Sequence, residues 1–124
     1  MSEKNKSLVK QIVEIFNTGD LSAVDEIFSP DFVLHNLAYP EEVRGPAGVK
    51  RYVEVIRAAF PDFEVKIIDM VAEDEKVAKH FKMSGTQQGE WLGIHPTNKR
   101  FSMDLAISIY RFSEGKLVEL WMAY

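Results

Sequence analysis

The spacing of apolar residues predicts two helices at the start of the chain. The first carries apolar residues three or four positions apart: Leu8, Ile12, Ile15 and Phe16. Gly19 stands where such a helix stops. Asp20 is a good N-cap for a second, shorter helix, which Ser29-Pro30 terminates. Its apolar positions are Leu21, Val24, Ile27 and Phe28.

A strand and a third helix follow. Residues 31–36 are rich in β-branched and aromatic side chains, which favours a strand, and turn-forming residues fill positions 38–45. Pro46 suits the first turn of a helix, and Pro61 ends it. One apolar stripe runs along this helix: Val49, Tyr52 or Val53, Ile56 and Phe60.

After Pro61 the apolar period changes from 3.6 to 2, which indicates strands. Short turns at residues 73–75 and 113–115 separate neighbouring strands, and a looser segment, residues 86–98, precedes the longest one. The predicted strands are residues 63–71, 76–85, 100–112 and 116–124. The order of elements is therefore ααβαββββ. Because helices gather early and strands late, with no βαβ unit, the fold class is α+β with a mainly antiparallel sheet.

Both faces of the long predicted strand carry bulky residues. Leu105, Ile107 and Ile109 alternate with Ala106, Ser108 and Tyr110, so one face should meet the helices and the other a second subunit. A three-residue turn at 113–115 would pair Ser108 with Leu120 and Ala106 with Met122 on one side. Asp104, Tyr110 and Tyr124 would share that side.

Composition narrows the possible functions. The chain has 124 residues and a net charge of -4, with its basic residues scattered, so we expect one domain and no nucleic-acid partner. No apolar run is long enough to span a membrane, and the polar start lacks the apolar core of a signal peptide, which favours a cytoplasmic protein. The chain contains no cysteine and no phosphate-binding or dinucleotide motif. We therefore expect no cofactor.

Local phrases along the chain resemble the SnoaL-like polyketide cyclase, or ester cyclase, group of the nuclear transport factor 2-like superfamily. Each phrase is short, but their order and spacing together are specific. They are Asn17-Thr18-Gly19-Asp20-Leu21, Gly45-Pro46-Ala47-Gly48-Val49, Ala59-Phe60-Pro61-Asp62-Phe63, Ser84-Gly85-Thr86, the segment from Gly89 to Thr97, Tyr110-Arg111-Phe112 and Gly115-Lys116-Leu117-Val118-Glu119. The resemblance covers nearly the whole chain.

This resemblance implies a cone-shaped, cystatin-like fold, in which a strongly curved sheet wraps around three helices and an apolar cavity. It also implies a homodimer through the outer face of the sheet. Cyclases of the group close a ring by an intramolecular aldol reaction, with a carboxylate as the base. The positions that match the family's acid and histidine are Met122 and Ser108, neither of which accepts a proton near neutral pH.

Two residues are therefore candidates for the missing base. His35 lies in the first strand, where related pocket enzymes place an acid or base, and an unperturbed imidazole titrates near neutrality. Asp104 could serve if burial raised its pKa. Either could also have a structural role, His35 by packing in the strand and Asp104 as a solvated end residue.

The other histidines have weaker functional readings. His80 suits a solvated or interface position, and His95 lies in a loop that could form a lid. Because the three histidines are far apart in sequence, we expect no metal site. The predicted substrate-binding residues are Phe16, Asn36, Tyr39, Phe81, Met83, Trp91, Ser108, Tyr110, Leu120, Met122 and Tyr124.

Three functions remain open at this point. The domain could be a cyclase-like or isomerase-like enzyme acting next to a carbonyl group. It could bind an apolar small molecule without transforming it, or it could be a dimerising adaptor. A cavity of a few hundred cubic ångströms would argue against the adaptor.

Overall fold

The computed structural model describes residues 2–36, 39 and 42–123. Its helices are α1 (Ser2–Thr18), α2 (Val24–Ile27) and α3 (Gly45–Ala59). Its strands are β1 (Phe28–Asn36), β2 (Val43–Arg44), β3 (Glu64–Glu73), β4 (Lys76–Thr86), β5 (Arg100–Ser113) and β6 (Lys116–Ala123). The predicted order is confirmed except for β2, a two-residue strand inside the stretch predicted as turn.

The six strands form one sheet in the order β2-β1-β6-β5-β4-β3. Among the described strands, only β1 and β6 pair in parallel. α1 packs on β3 and β4 at one end of the sheet, whereas α3 packs on β1 and β2 at the other. Bulges in β3, β5 and β6 increase the bend. The sheet therefore curves around the helices, and the predicted α+β fold class is confirmed.

The second helix is shorter than predicted. Asp20 accepts a hydrogen bond from the Ser22 backbone at 3.0 Å. It thus closes a turn, and the residue before α2 is Ala23. β1 begins already at Phe28 and includes Pro30, which was expected to end the second helix. Proline fits there because the β1–β6 register is irregular between Phe28 and Val33.

The β5–β6 hairpin keeps the predicted faces but shifts the predicted partners. The turn has two central residues, Glu114 and Gly115, both with positive φ. A bulge follows between Arg111 and Phe112, which moves the register by one residue more. Ser108 consequently pairs with Met122, and Tyr110 pairs with Leu120. Because the total shift is two residues, Ser108, Tyr110, Leu120 and Met122 stay on their predicted face.

A second bulge displaces Asp104 from the inner face, contrary to the prediction. Phe81 pairs with Ala106 whereas Met83 pairs with Met103, so β5 holds one extra residue in between. The extra residue reverses the alternation, and Asp104 is exposed. Its carboxylate accepts a hydrogen bond from the Ser102 hydroxyl at 3.1 Å.

Polar side chains attach the end of α1 to the sheet and so fix the space between them. The Asn17 amide donates to the Val65 carbonyl at 3.0 Å and accepts from the Val65 amide at 2.7 Å, as a neighbouring strand would. The Arg57 guanidinium donates to the carbonyls of Phe16, Pro61 and Phe63. These bonds hold α1, the end of α3 and β3 together.

Candidate functional site

An internal cavity of about 300 Å³ lies between α1, α3 and the inner face of the sheet. A drug-sized ligand fits such a volume, and its mainly apolar wall is typical of small-molecule sites. The wall residues are Ile12, Val13, Phe16, Asn36, Tyr39, Tyr52, Ile56, Phe60, Phe63, Val65, Lys79, Phe81, Met83, Trp91, Phe101, Met103, Tyr110, Leu120 and Met122.

Aromatic rings form a continuous section of this wall. Trp91 lies 5.4 Å from Phe60 and 6.1 Å from Tyr39, measured between ring centroids. Phe60 also contacts Phe101 at 5.1 Å, and Tyr39 contacts Tyr52 at 4.8 Å. Tyr39, Phe60, Trp91 and Phe101 are only half-buried. This end of the cavity is therefore the end nearest the surface.

The loop that carries Trp91 is held by one buried side chain. The Gln87 amide donates to the carbonyls of Gly89, Ile94 and His95, and its oxygen accepts from the Thr97 hydroxyl at 3.0 Å. The amides of Gln88 and Gly89 donate to the Ala59 carbonyl at the end of α3. These bonds place Trp91 against the cavity.

A row of four paired residues crosses the inner face of the sheet. Lys79 of β4 pairs with Ser108 of β5, Ser108 pairs with Met122 of β6, and Met122 pairs with Asn36 of β1. Lys79, Met122 and Asn36 line the cavity. The Ser108 hydroxyl is buried, and it has no hydrogen-bond partner among the described residues.

Lys79 is the unusual member of this row. It is only 4% exposed, and its Nζ lies 3.9 Å from the centroid of the Phe81 ring and 5.2 Å from that of Tyr110. It forms no ion pair or hydrogen bond with any described residue. Burial lowers the pKa of Lys79 from 10.5 to about 7. Near neutral pH, the Lys79 side chain is thus a neutral amine in a large fraction of the molecules.

Other polar groups share the cavity with this amine. The Asn36 amide donates to the Tyr52 hydroxyl at 2.9 Å, and its nitrogen lies 4.0 Å from the Met122 sulfur. Burial raises the pKa of Tyr110, so its hydroxyl stays protonated and can donate a hydrogen bond. No carboxylate or imidazole is found among the described residues of the wall. Lys79 is therefore the one group there that changes charge near pH 7.

Most residues predicted to bind substrate lie at the cavity wall: Phe16, Asn36, Tyr39, Phe81, Met83, Trp91, Tyr110, Leu120 and Met122. Ser108 faces the interior but is packed behind the wall. Tyr124 lies outside the described residues. Whether the wall residues bind a ligand stays a prediction.

The two predicted catalytic residues do not reach the cavity. His35 lies on the outer face, where its side chain is 46% exposed, its Nε2 donates to Glu119 at 2.7 Å and its ring stacks on Trp121. The Arg111 guanidinium and, after it, His35 lower the pKa of Glu119. Asp104 is exposed because the bulge in β5 turns it to the outer face. Their positions remove the geometric basis for either as the cavity's base.

The remaining histidines also lie away from the cavity wall. His80 faces outward with its Nδ1 3.6 Å from Asp69, and His95 is exposed in its loop. No group of three His, Asp or Glu residues in the described part of the chain is arranged to hold a metal ion. None of the described helices has the length and apolarity to cross a membrane.

Sequence reasoning missed Lys79, although its position carried a recognisable pattern. Val77, Lys79, Phe81 and Met83 alternate with more polar neighbours, so the lysine stands on the apolar side of its strand. A lysine on such a face is either paired or has a perturbed pKa. Several wall residues were also missed, among them Tyr52 and Phe101.

Comparison with known proteins identifies the family. The model of the SnoaL-like polyketide cyclase family matches residues 6–124. The chain belongs to this family. Nogalonic acid methyl ester cyclase of Streptomyces nogalater is 28% identical to this SnoaL-like domain over 108 residues, which are 86% of the chain and 79% of the relative.

Solved structures of similar proteins agree with the fold. AclR of Streptomyces galilaeus, a candidate hydroxylase, is 32% identical with a TM-score of 0.81, covering 99% of this chain and 76% of AclR. IdmH of Streptomyces antibioticus, a candidate polyketide cyclase, is 28% identical with a TM-score of 0.77, covering 96% of this chain and 90% of IdmH.

Proposed function

We propose that this SnoaL-like domain binds a small, largely apolar polyketide-type molecule and closes a ring or isomerises it by moving a proton next to a carbonyl group. The observation that carries this proposal is the buried Lys79 amine, which lines the apolar cavity without an ion pair to any described residue. A base with a pKa near the working pH is the most effective kind for such a transfer. Family membership supports the substrate class.

In the proposed reaction, Lys79 Nζ removes a proton from the carbon next to the substrate carbonyl. The electron pair moves onto the carbonyl oxygen, and the Tyr110 hydroxyl or the Asn36–Tyr52 pair can donate a hydrogen bond to the resulting enolate. The enolate carbon attacks a second carbonyl of the same molecule, and the new alkoxide takes the proton back from Lys79. The product is an isomer of the substrate.

We further propose that Lys79 replaces the carboxylate that the family's cyclases use. Met122 occupies the position that the resemblance assigns to the acid, and it lies at the cavity wall in the same row as Lys79. A lysine two strands away can reach the same space because neighbouring strands are only about 4.8 Å apart. The base would thus have moved from β6 to β4.

Two alternatives start from the same cavity. Non-catalytic binding of an apolar molecule would need no perturbed amine, and an adaptor would need no cavity, so the structure favours both less. Hydroxylation is suggested by the similarity to AclR. It is distinguished by mass, since it adds an oxygen atom whereas ring closure leaves the mass unchanged.

Deuterium exchange into 2-tetralone, a bicyclic ketone of suitable size, tests the proposal. NMR in D₂O at pH 7.5 should show faster exchange next to the carbonyl with the wild type than with buffer. Lys79→Met should lose at least about 90% of this acceleration, a size typical of removing a general base. Lys82→Met is the matched control, because Lys82 lies on the same strand but is exposed.

Exchange that is equal for the wild type, Lys79→Met and buffer would overturn the catalytic proposal. Binding of 2-tetralone in that case, measured by quenching of tryptophan fluorescence, would support the binding alternative.

We also propose that the domain forms a homodimer through the outer face of the sheet. Large apolar side chains are exposed on the central strand β5, namely Leu105 at 66%, Ile107 at 47% and Ile109 at 40%. Val71 adds to this face from the neighbouring end of the sheet, at 69% exposed. An apolar patch of this kind marks an interaction site.

A further inference from the structure

Lys79 stands in an environment that favours attack on carbon as well as proton transfer. Its Nζ is enclosed by the rings of Phe81 and Tyr110, and it forms no hydrogen bond with a described residue. A desolvated amine of this kind is a better nucleophile than a solvated ammonium group. No described carboxylate forms an ion pair with Lys79 that would stabilise the charged ammonium form. The nitrogen lone pair is therefore available when the amine is neutral.

The cavity presents this amine to any molecule that enters it. Lys79 belongs to the wall, together with residues of α1, α3 and five of the strands. The volume of about 300 Å³ leaves room for a ring system beside the Nζ atom. The mainly apolar wall would desolvate such a ligand and leave its carbonyl group as the main polar contact for the amine.

We propose that Lys79 Nζ forms a reversible imine with the aldehyde or ketone carbonyl of a small apolar ligand in this cavity. The nitrogen attacks the carbonyl carbon, and one of its two protons passes to the carbonyl oxygen. A second proton, taken up from solvent, then allows that oxygen to leave as water, which gives the protonated imine. No oxidant or reductant takes part. The Tyr110 ring centroid lies 5.2 Å from Nζ, and its hydroxyl, which keeps its proton because burial raises its pKa, can donate a hydrogen bond to that oxygen.

This inference rests on the proposed function in one respect, the entry of carbonyl compounds into the cavity. It adds a second use of the same nitrogen. Proton transfer needs the substrate's carbon–hydrogen bond to point at Nζ, whereas imine formation needs the carbonyl carbon there. Which event occurs is therefore decided by the orientation that the aromatic wall imposes on the ligand.

Reductive trapping tests the proposal on the intact protein. The wild type is incubated at pH 7 with 2-naphthaldehyde and cyanoborohydride, and the adduct is located by peptide mapping. We expect one fast adduct at Lys79, formed at least about tenfold faster than at any other lysine, because ordinary lysines are almost fully protonated at that pH. Excess 2-tetralone should slow this labelling and leave the surface lysines unaffected.

Two outcomes would overturn the proposal. One is labelling of Lys79 at the same rate as the surface lysines, and the other is a total adduct yield unchanged in Lys79→Met with Lys82→Met as the control. Because the mapping uses the wild type, a folding defect of the variant cannot hide the result.

A separate reaction distinguishes failure of the imine from failure of the proposed function. The Kemp substrate 5-nitrobenzisoxazole has no carbonyl group, so a base can open its ring by removing a proton but no imine can form. Kemp elimination that depends on Lys79 without any trapped adduct would reject the imine and leave the base in place. A trapped adduct at Lys79 without Lys79-dependent elimination or exchange would reject the base and leave the imine in place.

Discussion

At the residue scale, the fold creates reactivity by burying one amine without a charged partner. Lysine is rarely buried unless paired, because moving its charge out of water costs free energy. Lys79 is 4% exposed and lies against aromatic rings, so the cost is avoided when it gives up its proton. The titratable groups of the described wall are Lys79 and the phenols Tyr39, Tyr52 and Tyr110.

The lowered pKa of Lys79 predicts how stability depends on pH. Between about 7, its folded value, and 10.5, its ordinary value, the unfolded chain holds a proton that the folded chain lacks. Unfolding in this range takes up a proton, and raising the pH makes that uptake, and therefore unfolding, less favourable. We expect the free energy of unfolding of the wild type to rise by about 2 kcal/mol between pH 7 and pH 9, relative to Lys79→Met. Urea unfolding at both pH values measures this, and parallel behaviour of the two proteins would contradict it.

The outward position of His35 and Asp104 predicts that neither contributes to cavity chemistry. His35→Ala and Asp104→Ala should leave 2-tetralone exchange within about twofold of the wild type, because neither side chain lines the cavity. The same NMR assay measures this. A loss comparable to that of Lys79→Met would restore the residue concerned as the base.

Sequence alternation could have placed His35 but not Asp104. Phe32 and Leu34 are buried on the inner face of β1, so alternation points His35 the other way and Asn36 inward. Asp104 leaves the inner face only because a bulge inserts one residue into β5. A bulge depends on how the sheet bends over the helices, which the local sequence does not determine.

At the element scale, the helices and the long strands could be predicted because their apolar periods are unambiguous. The third helix and the last four strands have nearly the observed bounds, whereas α1 begins at Ser2, six residues before the predicted apolar stripe. The strand β2 was missed and α2 was predicted too long, because elements of two to four residues are too short to show an apolar period. The β5–β6 register was wrong by two residues because the turn type and the bulge both had to be known.

The loop that carries Trp91 depends on a close backbone approach at Gly89. A Cβ atom there would lie 2.3 Å from the Ala58 carbonyl oxygen, so Gly89→Ala must push the loop away from α3. We expect a loss of about 1–3 kcal/mol in the free energy of unfolding and weaker 2-tetralone binding. Denaturant unfolding and tryptophan fluorescence measure the two effects.

Gly48→Ala is the control for this change. Its Cβ would meet Val43 at an ordinary 3.6 Å inside α3. Alanine at that helical position should stabilise by about 0.5–1 kcal/mol. Equal changes in the free energy of unfolding for the two substitutions would show that the close approach at Gly89 does not affect stability.

At the scale of the whole molecule, the curved sheet has two faces with different uses. Its inner face closes the cavity with the helices, and its outer face carries exposed isoleucines between the His35–Glu119 and His80–Asp69 pairs. The sequence predicted this division from the alternation in β5. The volume inside could not be predicted, because it depends on how far the sheet curls over α1 and α3.

The proposed dimer predicts a clean separation between assembly and chemistry. Ile109→Lys should give a monomer by light scattering, because a charge would be buried in the interface. Exchange of 2-tetralone should persist, since Ile109 does not line the cavity. Gln11→Lys adds the same charge on exposed α1 and should stay dimeric. A monomeric wild type would contradict the dimer.

The titration of Lys79 itself tests the central claim most directly. Lysine labelled with ¹³C at Cε reports its own protonation in the NMR spectrum of the folded protein, and Lys79→Met assigns the resonance. A midpoint near pH 7, well below those of the other lysines, is the result that a desolvated and unpaired amine requires. A midpoint near 10.5 would mean that the amine is charged at neutral pH and serves as neither base nor nucleophile.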